Sequence, residues 1–407
     1  MNFQANLKSP PKHSVRSGLM ATCVALLGLT APTYAQPIQT PTRAVQPRLM
    51  RIPLPGVSNT NRSPARGATV SHAVKRPQDF TVFDAPGAGI GSGQGTISYD
   101  TNNPGVSTGV YFDSSFNSHG FLRGADGTMT TFDVDGSLSQ TFPTWISDAG
   151  TVAGFYYNAD AGITDCFLRK PRGKIVTFDA LGGNSTYTLC NAISDTGAIV
   201  GNYGDSNGDH GFVRTKDGTI TSFDAPGAAG TLGFFLNAGG TVVGPYYDAN
   251  GVNHAYIRTL DGSFTEFDAA GAGSGSGQGT FAIGINKSGS VCGDFIDSNG
   301  AHHAFVRNTG GAVTEFEAPD AGNGSGQGTE AISINSHGNV TGWYVDSSNV
   351  FHGYIRAKNG AITEFDAIGA GTGAFEGTQG FSINKNNVIG GWEVDDSGVN
   401  HGFIRTP

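Results

Sequence analysis

Short segments in which apolar and polar residues alternate recur along most of the chain. In the clearest copy, the segment His303–Arg307 reads HAFVR and is followed, after a polar turn, by Val313–Glu317, which reads VTEFE. Rough alternation over a few residues, with β-branched and aromatic side chains, is typical of a β-strand. The pattern therefore predicts pairs of short strands separated by tight turns.

Both segments return at a regular interval. Seven copies of the first segment begin at His119, Asp165, His210, His254, His303, His352 and His401. Seven Phe-acid pairs, which end the second segment, begin at Phe83, Phe132, Phe178, Phe223, Phe267, Phe316 and Phe365. The interval is roughly 44 to 49 residues, and this period is typical of four-stranded propeller blades.

Each repeat can be divided into four strands. In the sixth repeat we predict strands over Glu330–Asn335, Val340–Asp346, Gly353–Arg356 and Ala361–Asp366. Asn, Asp, Ser and Gly lie between these segments, where they favour the positive φ angles and side-chain hydrogen bonds of hairpin turns. Each repeat is therefore expected to be an antiparallel meander.

The two ends of the repeat region are offset from each other. The region begins at Phe80–Asp84, a fourth strand without its first three, and ends at His401–Arg405, a third strand without its fourth. Pairing the two ends would complete one blade and remove two exposed sheet edges. We therefore predict an all-β fold over residues 80–407, a seven-bladed β-propeller of four-stranded antiparallel blades, closed by the N-terminal strand completing the last blade.

The first 79 residues have a different character. Residues 1–35 combine basic residues, an apolar run and small residues near Ala35, a pattern typical of a secretory signal peptide. Cys23 follows a poorly fitting Thr22, so we expect a cleaved soluble product rather than a lipoprotein. Residues 36–79 are Pro-rich and poor in apolar residues, which predicts a disordered linker. We expect a secreted or periplasmic protein without a transmembrane segment.

Charge is divided unevenly along the chain. The formal net charge is −9, yet the predicted linker is basic and has Asp79 as its only acid, so the repeat region is strongly acidic. An acidic folded region argues against nucleic acid as a partner. The basic linker is either a solvated tail or a segment that contacts an anionic surface.

The tripeptide His303-Ala304-Phe305, in a repeat of this length behind a signal peptide, resembles the HAF repeats of bacterial extracellular proteins. The resemblance covers residues 80–407. It implies an extracellular repeat protein and brings no catalytic residues with it. The second repeat departs from the pattern, because Asp165-Cys166 replaces His-Gly or His-Ala, which puts the internal hydrogen bonding of that blade in question.

Most residues with chemical potential are explained by repetition. His, Arg and Asp return in nearly every repeat, which favours a structural hydrogen-bond network over a catalytic site. No Cys or His pair has zinc spacing, and Asp205–Asp209 lacks the downstream acid of a calcium loop, so we predict no metal and no cofactor. Cys166 and Cys190 either form a disulfide between neighbouring blades or remain buried thiols.

Function is therefore sought at departures from the repeat. We aligned the first strands on the Asn or Ser of the turn that follows each of them. The residue two positions before that turn residue is then Ser98, Trp145, Ala192, Phe235, Gly284, Ser333 or Ser382. If the first strands line a central channel, Trp145 and Phe235 either plug it or form a stacking surface for a sugar ring. In the second strands, Glu393 stands where the other repeats have Tyr or Phe. We predict Trp145, Phe235 and Glu393 as ligand-binding residues.

Three classes of function remain open. The first is a monomeric binding module for an extracellular glycan or surface protein. The second is a polysaccharide-active lyase or hydrolase on a propeller scaffold, although no pair of carboxylates stands out as catalytic, so the catalytic residues are unknown. The third is a purely structural component of the envelope or matrix. Fold alone does not decide between them.

Overall fold

The computed structural model describes residues 79–135, 137 and 140–407. The predicted signal peptide and all of the predicted linker except Asp79 lie outside the described residues. Every element named below is a β-strand, so the all-β prediction is confirmed. Within the described ranges, no helix has the length and apolar character needed to cross a membrane.

The strands follow one another in antiparallel meanders. The first strand, β1 (Phe80–Phe83), precedes the first meander, which consists of β2 (Gly95–Thr101), β3 (Ser107–Phe112), β4 (Ser118–Arg123) and β5 (Met129–Phe132). The second meander consists of β6 (Thr141–Ile146), β7 (Val152–Asn158), β8 (Ile163–Arg169) and β9 (Ile175–Phe178). The third consists of β10 (Tyr187–Ile193), β11 (Ile199–Gly204), β12 (Asp209–Arg214) and β13 (Ile220–Phe223).

The later meanders keep the same order. In the fourth, β14 (Gly230–Thr231) and β15 (Phe235–Leu236) form one interrupted first strand, which is followed by β16 (Val242–Tyr247), β17 (Asn253–Arg258) and β18 (Phe264–Phe267). The fifth consists of β19 (Gly279–Ile285), β20 (Val291–Ile296), β21 (His302–Arg307) and β22 (Val313–Phe316), and the sixth of β23 (Gly328–Ile334), β24 (Val340–Val345), β25 (Phe351–Arg356) and β26 (Ile362–Phe365). The last strands are β27 (Gly377–Ile383), β28 (Ile389–Val394) and β29 (Asn400–Arg405). In the sixth repeat, β23 and β25 each begin two residues earlier than the sequence pattern predicts.

The N-terminal and C-terminal strands lie side by side. β1 pairs with β29 in antiparallel register, from Phe80 opposite Arg405 to Phe83 opposite Gly402. The ring of Phe80 packs against Phe403 with 5.8 Å between the centroids. This is the pairing that the offset ends of the repeat region predict.

Neighbouring meanders touch at the start of their first strands. Gly279, Gly328 and Gly377 each form a single parallel bridge with the third strand of the preceding meander. The φ angle of Gly279 is 114°, and a Cβ there would lie 1.9 Å from the carbonyl oxygen of Asn253. Only glycine combines this backbone conformation with such a close approach.

A His-carboxylate contact joins the third and fourth strands of most meanders. His210 Nδ1 lies 2.9 Å from Asp224, and the ring stacks on Tyr203. Equivalent pairs are His119 with Asp133, His254 with Asp268, His303 with Glu317, His352 with Asp366 and His401 with Asp84. We call these contacts the His braces. They support the structural reading of the repeated histidines.

The second repeat replaces its brace by another arrangement. Asp165 stands in place of the histidine and accepts a hydrogen bond of 2.7 Å from the side-chain amide of Asn158. Asp179, the acid that the histidine would have bound, instead accepts backbone hydrogen bonds from Leu181 and Gly183. Local turns therefore replace the contact that this repeat lacks.

The repeated arginines connect one meander to the one before it. Each guanidinium lies 4.6 to 4.9 Å from the centre of a phenylalanine ring in the preceding fourth strand, which is a cation–π distance. The pairs are Arg123 with Phe83, Arg169 with Phe132, Arg214 with Phe178, Arg258 with Phe223, Arg307 with Phe267, Arg356 with Phe316 and Arg405 with Phe365.

Apolar cores fill the spaces between neighbouring meanders. One core packs Val243 and Ala255 of one meander against Phe295 and Phe305 of the next. A disulfide between Cys166 on β8 and Cys190 on β10 also joins two meanders, with 5.5 Å between the Cα atoms. The sequence left open whether Cys166 and Cys190 are bonded or remain thiols, and in the structure they are bonded. Cys292 is a buried free thiol.

Candidate functional site

The first strands of separate meanders face one another through aromatic side chains. Trp145 on β6 contacts Phe235 on β15 with 4.3 Å between the centroids and an angle of 88° between the rings. Trp145 also lies 6.5 Å from Phe381 on β27. The structure thus brings the two predicted aromatic residues together, in an edge-to-face arrangement rather than as one flat platform.

Further rings extend this contact into a larger group. Phe381 lies 6.4 Å from Trp343, 5.7 Å from Trp392 and 5.4 Å from Tyr99. These four rings are buried, whereas Trp145 and Phe235 are half-buried. We call the six residues the central aromatic cluster. Sequence comparison between repeats found its two half-buried members and missed the four buried ones, which lie at other positions of the strands.

The pairing register corrects the alignment of the first strands. β2 contains a bulge after Ser98, so Asp100 pairs with Thr108 just as Trp145 pairs with Ala153 on β7. The sequence alignment placed Ser98 at this position because Asp100 resembled a turn residue, but the strand continues to Thr101. The equivalent residues are therefore Asp100, Trp145, Ala192, Phe235, Gly284, Ser333 and Ser382.

Polar side chains at this position bind the neighbouring first strand. Asp100 Oδ2 accepts a hydrogen bond of 3.0 Å from the backbone N–H of Ile146, and Ser382 Oγ accepts one of 3.1 Å from Thr101. Burial raises the pKa of Asp100 well above its ordinary value, despite the opposing effect of the backbone donors. Asp100 is thus a buried carboxyl that the repeat pattern did not reveal.

At the C-terminal end of the first strands, most repeats carry an asparagine. Asn384 Nδ2 donates to the carbonyl oxygen of Asn102 at 3.1 Å, and Asn335 donates to that of Asn384 at 3.0 Å. In the same way, the side-chain amides of Asn102, Asn237 and Asn286 donate to the carbonyl oxygens of Ser147, Asn286 and Asn335, respectively. We call this the repeated end of the first strands. Its side chains serve to connect neighbouring meanders.

Near the start of the first strands, one position differs from one repeat to the next, although the residue before it is threonine in all seven repeats. The third position reads Ile97, Phe142, Leu189, Leu232, Phe281, Glu330 and Gln379, and the facing positions on the second strands are Val110, Phe155, Asn202, Pro245, Asp294, Trp343 and Trp392. We call this the variable end. Variation on a repeated scaffold indicates positions that the fold itself does not specify.

Three ionisable residues converge at the variable end. One ligating atom from each of Asp294, His302 and Glu330 lies within 4.8 Å of the other two. In the described part of the chain, this is the group of three residues that could together hold a metal ion. His302 Nδ1 lies 2.8 Å from Asp294 Oδ2. The indole N–H of Trp343 donates to Glu330 Oε1 at 3.0 Å and so joins the central aromatic cluster to this group. We call the three residues the Asp-His-Glu cluster.

Burial and charge perturb the acid–base behaviour of this cluster. Desolvation is the largest influence on Glu330 and raises its pKa to about 7, although His302 opposes the shift. Desolvation also disfavours the charged form of His302, but the attraction of Glu330 and Asp294 outweighs it and raises the pKa of the imidazole to about 9. The cluster therefore contains a carboxyl that holds its proton more tightly than an exposed glutamate does.

A second polar group lies at the variable end of an earlier pair of meanders. Asp209 accepts hydrogen bonds from the hydroxyl groups of Tyr187 and Tyr247, the second at 2.7 Å. Asn202 Nδ2 donates to the Tyr187 hydroxyl at 3.3 Å. Two separate parts of the variable end thus present acids together with aromatic residues.

Glu393 lies on β28 opposite His401, in the place where other repeats stack a Tyr or Phe on the brace histidine. The residue is 1% exposed, and its Oε2 atom has no hydrogen-bond partner among the described residues. Desolvation, aided by Asp395 and Asp84, raises its pKa to about 7 against the effect of His401. Glu393 thus faces a His brace rather than the central aromatic cluster.

The fold is similar to that of solved propeller proteins. A streptogramin B lyase structure matches 82% of this chain and 100% of its own, with a TM-score of 0.53 and 14% sequence identity. The virginiamycin B lyase of Staphylococcus aureus matches 81% of this chain and 100% of its own, with a TM-score of 0.52 and 16% identity. At such identities the likeness shows the propeller fold alone. No protein-family model and no curated protein matches this sequence.

Proposed function

We propose that the protein is a secreted or periplasmic HAF-repeat protein that binds an extracellular glycan at the variable end of its first strands. The observation that carries this proposal is the contrast between the repeated and variable ends. One end repeats the residues that connect the meanders, while the other varies and gathers aromatic rings beside carboxylates, imidazole and amides. Sugar recognition uses this combination, because aromatic faces contact the apolar side of a sugar ring and polar groups bind its hydroxyls.

The scaffold proposed for this function is a closed propeller of seven four-stranded blades. Three contacts between the first and last parts of the chain support closure. β1 pairs with β29, Asn384 donates to the Asn102 carbonyl, and Arg123 lies over Phe83. In this arrangement the last blade consists of β27, β28, β29 and β1.

Within the proposed site, Trp145 and Phe235 form the base and the variable-end residues form the rim. Trp145 and Phe235 are the half-buried members of the central aromatic cluster, so they retain ring surface for contact. Glu393 belongs to the proposal only as an ionisable group near a His brace, since its contacts lie with His401. Aromatic contacts of this kind contribute about 1 kcal/mol each beyond the area they bury.

The cysteines support the proposed location outside the cytoplasm. Cys166 and Cys190 are bonded and join two meanders. Structural disulfides form and persist in oxidising compartments and are rare in the cytosol. This agrees with the signal peptide that the sequence predicts.

A polysaccharide-active enzyme is the second candidate, and the Asp-His-Glu cluster favours it. The pKa of Glu330 is raised to about 7, a value suited to general acid or base chemistry at neutral pH. Such an enzyme would cleave its glycan, so release of reducing ends or of unsaturated sugars from candidate polysaccharides distinguishes it from a binding module.

A glycan array followed by calorimetric titration of the purified mature protein tests the proposal. We expect at least one glycan to bind, and Glu330→Leu to weaken binding at least tenfold, because Leu189 and Leu232 occupy the equivalent position and the fold accommodates leucine there. The matched control is His210→Asn in a His brace, which should leave affinity unchanged. Absence of glycan binding, or equal affinity of wild type and Glu330→Leu, would contradict the proposal.

A further inference from the structure

We propose that the Asp-His-Glu cluster binds one divalent cation, with Zn²⁺ preferred over Mn²⁺, Ca²⁺ and Mg²⁺. The sequence alone predicted no metal, because the three residues have no recognisable ligand spacing. Asp294 and His302 lie on neighbouring strands of one meander, and Glu330 lies on the first strand of the next. Only the packing of two meanders brings them together.

The arrangement of the ligand atoms distinguishes this cluster from the His braces. In the brace of His210, Asp205 lies 3.2 Å from Nε2 and Asp224 lies 2.9 Å from Nδ1, so the two carboxylates occupy opposite edges of the ring and cannot share an ion. In the Asp-His-Glu cluster, one atom of each residue lies within 4.8 Å of the other two. Two ligands of one Zn²⁺ ion, each about 2.0–2.2 Å from the metal, lie at most about 4.4 Å apart. Small side-chain rotations therefore suffice to close the site.

All three residues depart from what the other repeats carry at the same positions. Asp294 corresponds to Val110 and Pro245, His302 to Asn253 and Asn400, and Glu330 to Leu189 and Phe281. Another meander carries an acid, Asp209, at the position of His302, but the remaining meanders fold with neutral residues at all three positions, so folding does not require the charged ones. Asp294 is nevertheless 2% exposed, and burying a carboxylate costs several kcal/mol unless it is compensated. In this structure His302 pairs with Asp294, whereas a bound cation would compensate both carboxylates at once.

The donor set determines which ion is preferred. One imidazole and two carboxylates suit Zn²⁺ better than Ca²⁺ or Mg²⁺, which prefer sites built from oxygen alone, and Zn²⁺ generally binds such a set more tightly than Mn²⁺. The hydrogen bond from Trp343 to Glu330 Oε1 orients that carboxylate, as outer-shell donors do in metal sites. Three protein ligands leave a fourth position of Zn²⁺ for water or for an oxygen of a bound molecule.

Metal binding can be measured without any glycan, so its outcome is separate from that of the proposed function. The mature protein, treated with EDTA and dialysed, is titrated by calorimetry with ZnCl₂, MnCl₂, CaCl₂ and MgCl₂, and bound metal is counted by elemental analysis. We expect one Zn²⁺ per chain with a Kd in the micromolar range or below, at least tenfold weaker binding of Ca²⁺ and Mg²⁺, and a higher Tm with Zn²⁺. Absence of Zn²⁺ binding by the wild-type protein would overturn the proposal.

Two substitutions copied from other repeats locate the ion. Glu330→Gln introduces the residue of Gln379, and His302→Asn introduces the residue of Asn253 and Asn400. Each should weaken Zn²⁺ binding at least tenfold, while His210→Asn, which removes a brace histidine between two carboxylates, should not. The Tm of each metal-free variant establishes that it is folded. Unchanged Zn²⁺ affinity in both folded variants would place the ion elsewhere and overturn the proposal.

Discussion

The repeated end and the variable end of the first strands differ in how their polar side chains are accommodated. At the repeated end, buried amides of Asn286, Asn335 and Asn384 each donate to the carbonyl oxygen of a neighbouring meander. At the variable end, Asp294 and Glu330 are acids that ordinary packing would avoid. The first arrangement recurs in most meanders, while the second is costly and occurs in few of them.

The comparison separates side chains that hold the fold from those that the fold merely tolerates. A hydrogen bond repeated between meanders contributes to the stability of the whole array, so its loss is felt in unfolding experiments. A charged cluster present in one place contributes little to folding and is retained where ligand contacts offset its cost. Stability and ligand binding should therefore respond to substitutions at opposite ends of the same strands.

The largest expected effect comes from removing β1. Deleting Phe80–Asp84 leaves β29 without its antiparallel partner and removes the contacts of Phe80 with Phe403 and of Phe83 with Arg123. The exposed strand edge favours aggregation. We expect a clearly lower Tm and loss of the monomer in size-exclusion chromatography. A truncated protein that keeps the wild-type Tm and remains monomeric would show that the contacts between the chain ends do not support the scaffold.

The next largest effect concerns the two half-buried aromatics. Replacing Trp145 and Phe235 together by Ser should preserve folding, because Ser333 and Ser382 occupy equivalent positions and bind the neighbouring strand through Oγ. We expect glycan affinity to fall by about 1–3 kcal/mol per ring and the free energy of unfolding to fall by a similar amount. Calorimetric titration and thermal melting of the same variant measure both. Lower stability with unchanged affinity would identify the rings as a plug.

A smaller effect is expected at the repeated end. Asn384→Ala removes the donor to the Asn102 carbonyl and the acceptor of the Val388 N–H. Leaving such buried groups unpaired should cost about 1–3 kcal/mol of the free energy of unfolding. Denaturant unfolding measures this loss, and glycan and Zn²⁺ affinities should remain at their wild-type values. If Asn384→Ala weakens ligand binding without lowering stability, the division between the two ends is incorrect.

The smallest effect depends on pH and involves Glu393. Its pKa is raised to about 7 in the folded protein, so the folded state holds this proton more tightly than the unfolded chain. Stability should therefore fall as pH rises from about 4.5 to about 7 and change little from this group above that range. Glu393→Gln should reduce this fall by about 1–3 kcal/mol. Denaturant midpoints from pH 4.5 to 8 provide the measurement, and equal pH dependence of the two proteins would contradict the shifted pKa.

Repetition made much of the fold predictable. The alternating segments identified the strands, and the offset ends predicted that Phe80–Phe83 pairs with the last strand. Comparison of repeats also singled out Trp145 and Phe235, which the structure brings into contact. It failed at Asp100, because this acid resembles a turn residue although the strand continues to Thr101, and a local sequence pattern does not show where a strand ends.

The sequence by itself determined the strand pattern, the repeated contacts and the pairing of the chain ends, because each depends on local alternation or on spacing that recurs along the chain. Only the tertiary structure brought Asp294, His302 and Glu330 together, since they belong to two meanders and each is a single departure from its repeat. The same holds for the central aromatic cluster, whose rings come from several first and second strands. Side chains meet there because the meanders pack against one another, and distance along the chain carries no information about that meeting.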